Sequence, residues 1–199
     1  MRRIATLLFL PICFIAFIPN AFGQTCTPAG LYHSGPITDD FNFISNPGPT
    51  DDTCWAHDYR ATFVTGVTSC TTYGNTVTNN AFSFTYGGSI SQDIVIPASD
   101  TRNHFALNYL LDFDDPNNDS YWNRFSADVY DATTGVYLYR SGNYNGSMPD
   151  LLCTRRSSPT MYFPNTLAGH TIRIYFRGTT GYSDTHIRVY SMAFDGWTQ

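Results

Sequence analysis

Four aspartates lie close together in the stretch LLDFDDPNNDSYWNRF, which runs from Leu110 to Phe125. They are Asp112, Asp114, Asp115 and Asp119. Carboxylates this close to one another could bind calcium, could act as a pair of catalytic acids, or could keep a turn between two apolar segments soluble. The surrounding sequence has to discriminate between these three roles.

The pattern of this acidic stretch disfavours the two chemical roles. An EF-hand loop needs glycine at its sixth position and glutamate at its twelfth, whereas Pro116 interrupts this stretch and the chain contains no glutamate. Glycosidases need two carboxyl groups about 5–10 Å apart, one with a raised pKa, and solvated aspartates lack the apolar pocket that would raise it. We therefore predict a solvated connection between strands, since Asp-Pro and Asn-Asn favour turns. A calcium loop of another type stays open.

Other catalytic motifs are missing from the sequence. It has neither the GxSxG pattern of serine hydrolases nor the HExxH pattern of zinc proteases. Its histidines are scattered at His33, His57, His104, His170 and His186. A Ser–His–Asp triad assembled only by folding is not visible in a sequence, so an enzyme stays among the hypotheses.

The N-terminus is typical of a secretory signal peptide. The start MRR precedes an apolar run from Ile4 to Ile18, and Ala21-Phe22-Gly23 offers small residues for cleavage before Gln24. The apolar run is shorter than the about 20 residues of a membrane-spanning helix. We expect residues 1–23 to be removed and the mature chain to be extracellular, or periplasmic in a bacterium.

Four cysteines remain once this segment, with Cys13, has been removed. An even number in an exported chain predicts two disulfides and no free thiol. Four cysteines allow three pairings, which the sequence leaves open. The short separation of Cys54 and Cys70 favours that bridge and would leave Cys26 to pair with Cys153. The sequence has no CxxC spacing, which disfavours a zinc site.

The charged residues are restricted to two types. The acidic residues, 16 in all, are aspartate, the 11 basic ones are arginine, and the formal net charge is −5. This acidic balance disfavours nucleic acid and anionic membranes as partners. The lack of glutamate and lysine, with many Thr, Tyr, Asn and Gly residues, disfavours helices.

Apolar and polar residues alternate along most of the chain. Strands are predicted at 81–86, 90–96, 104–113, 125–131, 136–139, 171–177 and 185–194, with a short first strand at 40–43. Alternation with period two, interrupted by turn residues, is typical of antiparallel strands that have one face in a core and one in water. We predict a single all-β sandwich at 50–199, preceded by an arm at 24–49.

Three stretches resemble a known group of folds. GGSISQDIVIPASDTRNHFALNYLLDF resembles the part of secreted jelly-roll modules in which a strand ends in proline and a second apolar strand follows. FSADVYDATTGVYLY resembles their next hairpin, and NTLAGHTIRIYFRGTTGYSDTHIRVYSMAFDGW resembles their last two strands. From Phe82 to Trp197 the chain thus resembles carbohydrate-binding, galactose-binding-like and MAM-like sandwiches. The resemblance implies a jelly roll, a fold that hosts unrelated activities.

The resemblance also implies a structural calcium ion. In such modules an acidic residue near the first strand and an aspartate at the end of the last strand hold the ion, and here Asp39 or Asp40 and Asp195 stand at those positions. The chain departs from the pattern in having aspartate rather than glutamate at the start and Gly196 where a second aspartate often stands. Solvated strand ends are the alternative.

Candidate ligand-binding residues are aromatic side chains and the arginines beside them. Sugar-binding sandwiches use flat aromatic faces, with polar side chains that fix the hydroxyl groups, although a tyrosine-rich sheet surface is also common. The candidates are Tyr121, Trp122, Tyr137, Tyr139, Tyr144, Arg173, Tyr175, Arg188 and Tyr190. Trp55 and Trp197 are instead predicted to pack in the core or at a strand end.

Three functions are consistent with these features. The leading hypothesis is a secreted, non-catalytic module that binds carbohydrate or another cell-surface ligand. The second is a structural or adhesive envelope protein that uses the sandwich for protein contacts, and the third is a small secreted hydrolase. Apart from the calcium ion, no cofactor is expected. Neither binding to nucleic acid nor insertion into a membrane is expected.

Overall fold

β-Strands account for the regular structure of the residues that the computed structural model describes, which are 26–31, 41–67, 79–114, 122–140, 144–145, 156–163, 166–181 and 185–198. The strands are β1 (Gly30–Leu31), β2 (Phe41–Asn42), β3 (Ala56–His57), β4 (Ala61–Val67), β5 (Asn79–Phe84), β6 (Gly88–Val95), β7 (His104–Asp114), β8 (Arg124–Asp131), β9 (Val136–Arg140), β10 (Tyr144–Asn145), β11 (Arg156–Ser157), β12 (Met161–Phe163), β13 (Thr171–Thr179) and β14 (His186–Trp197). Among the same residues, no helix is both long and apolar enough to cross a membrane.

The strands form two antiparallel sheets. In the first sheet β7 pairs with β14 along nearly its whole length, and β11 and β12 lie on the other side of β7. Strands β2 and β5 share the second edge of β14, with β1 beyond β2 and β4 beyond β5. The second sheet has the order β10-β8-β13-β6-β3, and β9 also pairs with β8.

The core lies between the two sheets and is rich in aromatic rings. Tyr109 of the first sheet packs against Phe125 and Phe176 of the second, with ring centroids 5.5 Å and 5.3 Å apart. Trp55 is 4% exposed and lies near Phe82 and Phe176, which confirms its predicted place in the core. Such contacts add about 0.5–1.5 kcal/mol per ring pair to the stabilisation from burial itself.

The predicted all-β antiparallel sandwich is confirmed, and its longer strands lie close to where the alternation places them. The segment predicted at 104–113 is β7, and the segment at 125–131 is β8. The last two strands extend beyond their predicted ends, to Thr179 and Trp197. Trp197 stacks on His104 at the end of its strand, as predicted, with ring centroids 5.6 Å apart.

The disulfide pairing differs from the prediction. Cys54 is bonded to Cys26 and not to Cys70, with Cα atoms 5.4 Å apart. Sequence separation is a weak guide because the fold decides which cysteines meet. Cys70 and Cys153 lie outside the described residues. Since Cys26 and Cys54 are bonded to each other, the predicted second disulfide would have to join Cys70 to Cys153.

Two hydrogen-bonded contacts bring Cys26 to Cys54. Just after Cys26, the backbone N–H of Ala29 donates to the carbonyl of Ile44 at 3.0 Å. The residue after Ile44 is Ser45. The buried side-chain amide of Gln92 donates to the backbone carbonyls of both Ser45 and Cys54 at 2.9 Å. The N-terminal arm is thereby held against β6 of the second sheet.

The acidic stretch is also less solvated than predicted. Asp112 and Asp114 belong to β7, and Asp112 is fully buried and accepts a hydrogen bond from the Tyr190 hydroxyl. Asp114 forms an ion pair with Arg188 at 2.5 Å. Asp115 and Asp119 lie outside the described residues. The prediction of a solvated connection is therefore wrong for its first two aspartates, because β14 supplies partners that the sequence does not place.

Candidate ligand-binding cleft

The outer face of the second sheet carries an open cleft of about 490 Å³. Strands β8 and β13 alternate strictly, so that Phe125, Ala127 and Val129 face the core while the residues between them face outward. The side chains that line the cleft are Ser126, Asp128, Tyr130, Tyr137, Arg140, Arg173, Tyr175 and Arg177. The cleft therefore combines tyrosine rings with arginines and one carboxyl group.

The strand register arranges these side chains in rows across the sheet. Tyr175 of β13 lies opposite Asp128 of β8, and Arg177 lies opposite Ser126. Arg173 lies between Tyr130 on one side and Asp93 of β6 on the other. Side chains in such directly opposed positions stand about 4.5–5.5 Å apart at Cβ, close enough to contact one ligand together.

A β-bulge in the hairpin of β8 and β9 brings two more side chains to the cleft. Tyr137 pairs with Tyr130 and Arg140 pairs with Asp128, although an unbroken strand would put positions 137 and 140 on opposite faces. The same bulge turns Tyr139 inward, where it packs edge-on against Phe163 with ring centroids 6.3 Å apart. The prediction that Tyr139 is on the outward face with Tyr137 is therefore wrong.

Two arginines lie over two of the tyrosine rings. The guanidinium carbon of Arg140 is 4.3 Å from the ring centroid of Tyr137. The guanidinium carbon of Arg177 is 5.2 Å from the ring centroid of Tyr175. This cation–π arrangement holds both charged groups against the floor of the cleft, with their remaining N–H groups available to a ligand.

Arg173 differs from these two because a carboxylate binds it. Its Nε and Nη2 atoms donate to the two carboxylate oxygens of Asp93 at 2.6 Å and 2.8 Å. These hydrogen bonds, together with the charge of Asp93, raise the pKa of Arg173 above its ordinary value. The pair is neutral overall, so Arg173 positions Asp93 and the edge of the cleft rather than adding net charge.

Asp128 is the carboxyl group of the cleft. Its side chain is 15% exposed, and its Oδ2 atom is 4.0 Å from Arg140 Nε. Its Oδ1 atom is buried and accepts no hydrogen bond from the described residues. Burial raises the pKa of Asp128, and the charges of Arg140 and Arg177 offset only part of that effect. Asp128 is therefore an acceptor whose hydrogen-bonding capacity the described residues leave unused.

The sequence candidates divide into those in the cleft and those elsewhere. Tyr137, Arg173 and Tyr175 line the cleft. Trp122 is 61% exposed and lies beside Gly181, outside the residues that line it. Tyr121 lies outside the described residues, and of Tyr144 the structure describes only its place in β10.

Arg188 and Tyr190 belong to the other sheet and are buried. Regular alternation would place both on a solvated face of β14, but they are 8% and 4% exposed. The register of β14 against β7 shifts between Val189 and Ser191, so Tyr190 is an extra residue in a bulge. Their predicted solvent-facing positions are wrong, because Asp114 and Asp112 occupy their polar groups.

One of the residues predicted to bind calcium, Asp195, lies where the N-terminal arm pairs with the last strand. Asp195 lies opposite Asn42, where the first long-range pairing of the N-terminal arm meets the last strand. Asp39 and Asp40 lie outside the described residues. Within the described ranges no three His, Cys or Asp side chains come close enough together to hold a metal ion. Calcium takes six to eight oxygen ligands, so Asp195 alone does not make a site.

A serine and a histidine are in contact in the first sheet. Ser83 Oγ lies 3.3 Å from His186 Nδ1. A nucleophilic serine must be reached by a substrate, whereas Ser83 is 5% exposed and is not among the residues that line the cleft. The contact is consistent with a structural hydrogen bond between β5 and β14.

Several residues that line the cleft were not among the predicted ligand-binding residues. Those absent from the predicted set are Ser126, Asp128, Tyr130, Arg140 and Arg177. The alternation in β8 contained the signal for three of them, because residues between Phe125, Ala127 and Val129 have to face outward. Arg140 carried no such signal, since the bulge that orients it leaves no mark in the local pattern.

A second depression lies at the end of the sandwich, lined by Tyr59, Arg60, Thr85, Tyr86, Thr179 and Thr180. Tyr59 is 81% exposed and Tyr86 48% exposed. Tyr86 has a φ of 49°, an uncommon conformation for an aromatic residue, and Arg60 Nη1 donates to its carbonyl at 2.7 Å. None of these residues was a predicted binding residue; Thr85 and Tyr86 belong to the turn TYGG between β5 and β6.

Comparison with known proteins finds likeness in structure but not in sequence. No protein-family model matches the chain, and no curated protein is similar to it. A CBM61 carbohydrate-binding module, solved with beta-1,4-galactotriose, is 12% identical and has a TM-score of 0.53 over 77% of this chain and 97% of its own. A Stig cyclase from Fischerella sp. TAU is 9% identical, with a TM-score of 0.50 over 79% and 98%. The CBM22-1 xylan-binding domain of Paenibacillus barcinonensis Xyn10C is 7% identical, with a TM-score of 0.45 over 84% and 99%.

At these identities the comparisons show the fold alone. They support the predicted likeness to carbohydrate-binding sandwiches, while a finer MAM-like relationship stays a prediction. The first two similar structures are a binding module and an enzyme, so the fold by itself does not decide between those functions. The decision has to rest on the side chains of the cleft.

Proposed function

We propose that the protein is a secreted, non-catalytic module that binds carbohydrate through the cleft on the second sheet. The cleft presents tyrosine rings and hydroxyl groups together with charged hydrogen-bonding side chains. Sugars are recognised by this combination, because their C–H faces pack on aromatic rings while their hydroxyl groups exchange hydrogen bonds with polar side chains. Export follows from the N-terminal signal sequence, which remains part of the proposal.

The observation that carries the proposal is the unused acceptor on Asp128. A buried carboxylate oxygen without a hydrogen-bond donor costs free energy, and proteins seldom leave such groups unpaired unless a ligand or water pairs with them. Because this oxygen is buried, the Asp128 side chain would have to turn Oδ1 towards the cleft, where the hydroxyl group of a sugar bound beside Tyr175 would supply the missing donor. Asp128 would then orient the sugar, and Tyr137 and Tyr175 would provide contact area.

Catalysis is not part of the proposal because the cleft lacks a second suitable carboxyl group. Asp93 is the nearest acidic neighbour in the rows of the sheet, and both of its oxygens accept hydrogen bonds from Arg173. A glycosidase of the usual kind needs a free carboxylate as nucleophile or base in addition to the acid. Asp128 therefore has no partner for that reaction among the residues that line the cleft.

The fold supports the same function. The similar module with the TM-score of 0.53 was solved with a galactose trisaccharide, which makes galacto-oligosaccharides a reasonable first probe for this chain. A glycan array of the mature protein, followed by calorimetry on the best ligands, measures whether any saccharide binds.

Variants of the cleft make the test specific. Tyr175→Ala and Tyr137→Ala should each weaken glycan binding by about 10-fold or more, as removal of an aromatic contact usually does. Tyr162→Ala is the matched control, because Tyr162 is 72% exposed but lies on β12 of the first sheet. If neither cleft variant changes the affinity, or if no saccharide binds at all, the proposed function is wrong.

A further inference from the structure

We propose that the cleft selects acidic saccharides, whose carboxylate or sulfate groups bind Arg140 and Arg177. The inference rests on the proposed function and adds the class of sugar. Two features of the cleft support this inference, and a binding site for neutral sugars needs neither of them. One is a local excess of positive charge, and the other is that an arginine lies over each of two tyrosine rings.

The charge of the cleft is opposite in sign to that of the chain. The chain has a formal net charge of −5. Three arginines line the cleft, and Asp93 neutralises one of them, Arg173, through two hydrogen bonds. Arg140 and Arg177 then face a single carboxyl group, that of Asp128. Two positive groups against one negative group leave an excess of positive charge even when Asp128 is ionised.

The contacts of these two arginines leave room for an anion. Arg177 Nη2 donates to the Tyr175 hydroxyl at 3.4 Å, a long hydrogen bond to a neutral group. Arg140 is 65% exposed, and its distance of 4.0 Å to Asp128 exceeds that of a good charge-assisted hydrogen bond. An anionic group from a ligand would therefore gain interactions with Arg140 and Arg177 that the described side chains do not make.

The covered tyrosine rings point to the same class of ligand. A neutral sugar would stack on a bare aromatic face, but Arg140 lies over Tyr137 and Arg177 lies over Tyr175. A ligand that enters the cleft thus meets guanidinium groups together with the exposed parts of the rings, since Tyr137 stays 55% exposed. Planar guanidinium groups donate paired hydrogen bonds to carboxylate and sulfate oxygens, and the tyrosine rings beneath them fix their orientation.

Calorimetry with sugars that differ only in charge tests the proposal. The probes are an oligogalacturonate, a sulfated galacto-oligosaccharide and a neutral galacto-oligosaccharide of the same length, with polyglutamate as an anion that is not a sugar. We expect at least one acidic sugar to bind about 10-fold or more tightly than the neutral one, and this advantage to shrink as salt is added. The comparison of carboxylate and sulfate identifies which anion the cleft prefers.

Arginine variants link that preference to the cleft. Arg177→Gln and Arg140→Gln should each reduce the affinity for the acidic sugar about 10-fold more than they reduce the affinity for the neutral sugar. Arg60→Gln is the matched control, because Arg60 also lies over a tyrosine, Tyr59, at 5.0 Å but is outside the cleft. Melting curves of each variant establish that it is folded.

The outcomes separate this inference from the proposed function. Equal binding of neutral and acidic sugars, or equal losses in the Arg60 and Arg177 variants, overturns the preference for acidic sugars but leaves a glycan-binding cleft. Polyglutamate binding as tightly as the acidic sugar overturns the assignment to saccharides. Absence of binding to any sugar overturns both proposals together.

Discussion

Two aspartates of β8 show how neighbouring residues obtain opposite properties. Burial would raise the pKa of Asp131, but hydrogen bonds from the Thr134 hydroxyl at 2.6 Å, from His170 Nδ1 at 2.7 Å and from backbone N–H groups lower it overall. Asp128, three residues earlier, has no such donors, and burial raises its pKa. Asp131 therefore stabilises the hairpin turn as a carboxylate, whereas ionised Asp128 is held at a cost in folding free energy.

We expect Asp128→Asn to raise the melting temperature at pH 7. The folded protein binds the Asp128 proton more tightly than the unfolded chain does, so the cost of ionisation is absent well below pH 3.8 and appears as the pH rises above it. The gain from asparagine should be a few degrees, since each kcal/mol corresponds to roughly 2–4 °C in a domain of this size. Melting curves between pH 3 and pH 7 measure it.

The matched substitution Asp131→Asn should have the opposite sign. The pKa of Asp131 is lowered in the folded state, so its contribution is present above the unfolded pKa, near 3.8, and is lost as the pH falls below it. Its melting temperature should fall below that of the parent protein at pH 7 and approach it at pH 3. If the melting temperatures of the two variants changed with pH in the same way, the proposed difference between the surroundings of Asp128 and Asp131 would be wrong.

Trp122 should contribute little to stability. It is 61% exposed, and a Cβ at Gly181 would lie 2.8 Å from its own Cβ, so it covers that glycine from the outside. Trp122→Ala should change the free energy of unfolding by much less than the roughly 3–5 kcal/mol of a buried tryptophan. Denaturant unfolding gives the value, and the glycan titration tells whether this exposed ring extends the binding surface beyond the cleft.

At the scale of strands, two bulges determine which side chains reach a ligand. The bulge in β9 sends Tyr137 and Arg140 to the cleft and Tyr139 to the core. The bulge in β14 reverses the inward positions of that strand, since Val189 is buried before it and Met192 after it. Bulges of this kind often orient side chains at binding sites, and the one in β9 brings Arg140, one of the charged groups of the cleft, to its place.

The start of β6 is a point where the two sheets come too close for a side chain. A Cβ at Gly88 would overlap the backbone of Arg60 and lie 2.9 Å from the backbone nitrogen of Ala61. Backbone atoms cannot rotate away, so Gly88→Ala should lower the free energy of unfolding by about 1–3 kcal/mol. Gly48→Ala is the control, because nothing lies within 4 Å of its Cβ position and its stability should be unchanged or slightly raised.

The whole molecule separates its polar groups between the two outer faces. On the first sheet, the pairs Arg188–Asp114 and Tyr190–Asp112 are buried and occupied with one another. On the second sheet, Arg140 and Arg177 stand at an open cleft. The first face therefore contributes to the fold, while the second presents hydrogen-bonding groups to the solvent, which is why we place the function there.

We expect two disulfides in the mature protein, on the prediction that the chain is exported. Cys26–Cys54 is one of them, and Cys70 with Cys153 would form the other. Each bridge stabilises a folded domain by about 2–4 kcal/mol, mainly by restricting the unfolded chain. Thiol titration in denaturant without reductant should find no free thiol, and peptide mapping should find Cys26 linked to Cys54. Two free thiols per chain would show that the second bridge does not exist.

Calcium should raise the melting temperature if Asp195 and the acidic pair of the N-terminal arm share an ion. Binding to the folded state alone stabilises it by mass action, because the ion would join the first strand to the last. Melting in calcium and in chelator measures the shift, and Asp195→Asn should abolish it. An unchanged transition would contradict the predicted calcium site.

The alternation of apolar and polar residues determined much of this protein without reference to any contact. It placed β7, β8 and β13 and predicted the antiparallel sandwich, because in a strand successive side chains point to opposite sides. For the same reason it identified Tyr175 and Arg173 as outward-facing residues. These are local properties, since the backbone of each strand alone fixes them.

Only the tertiary structure decided the features that depend on a partner strand. The bulges in β9 and β14 depend on the register between strands, so alternation along the sequence did not predict that Tyr139 and Tyr190 turn away from solvent. The pairing of Cys26 with Cys54 likewise depends on the fold of the N-terminal arm against β6. The net charge of the cleft depends on which carboxylates lie near which arginines. The order of the strands across the sheet determines these neighbours, and the distance along the chain does not.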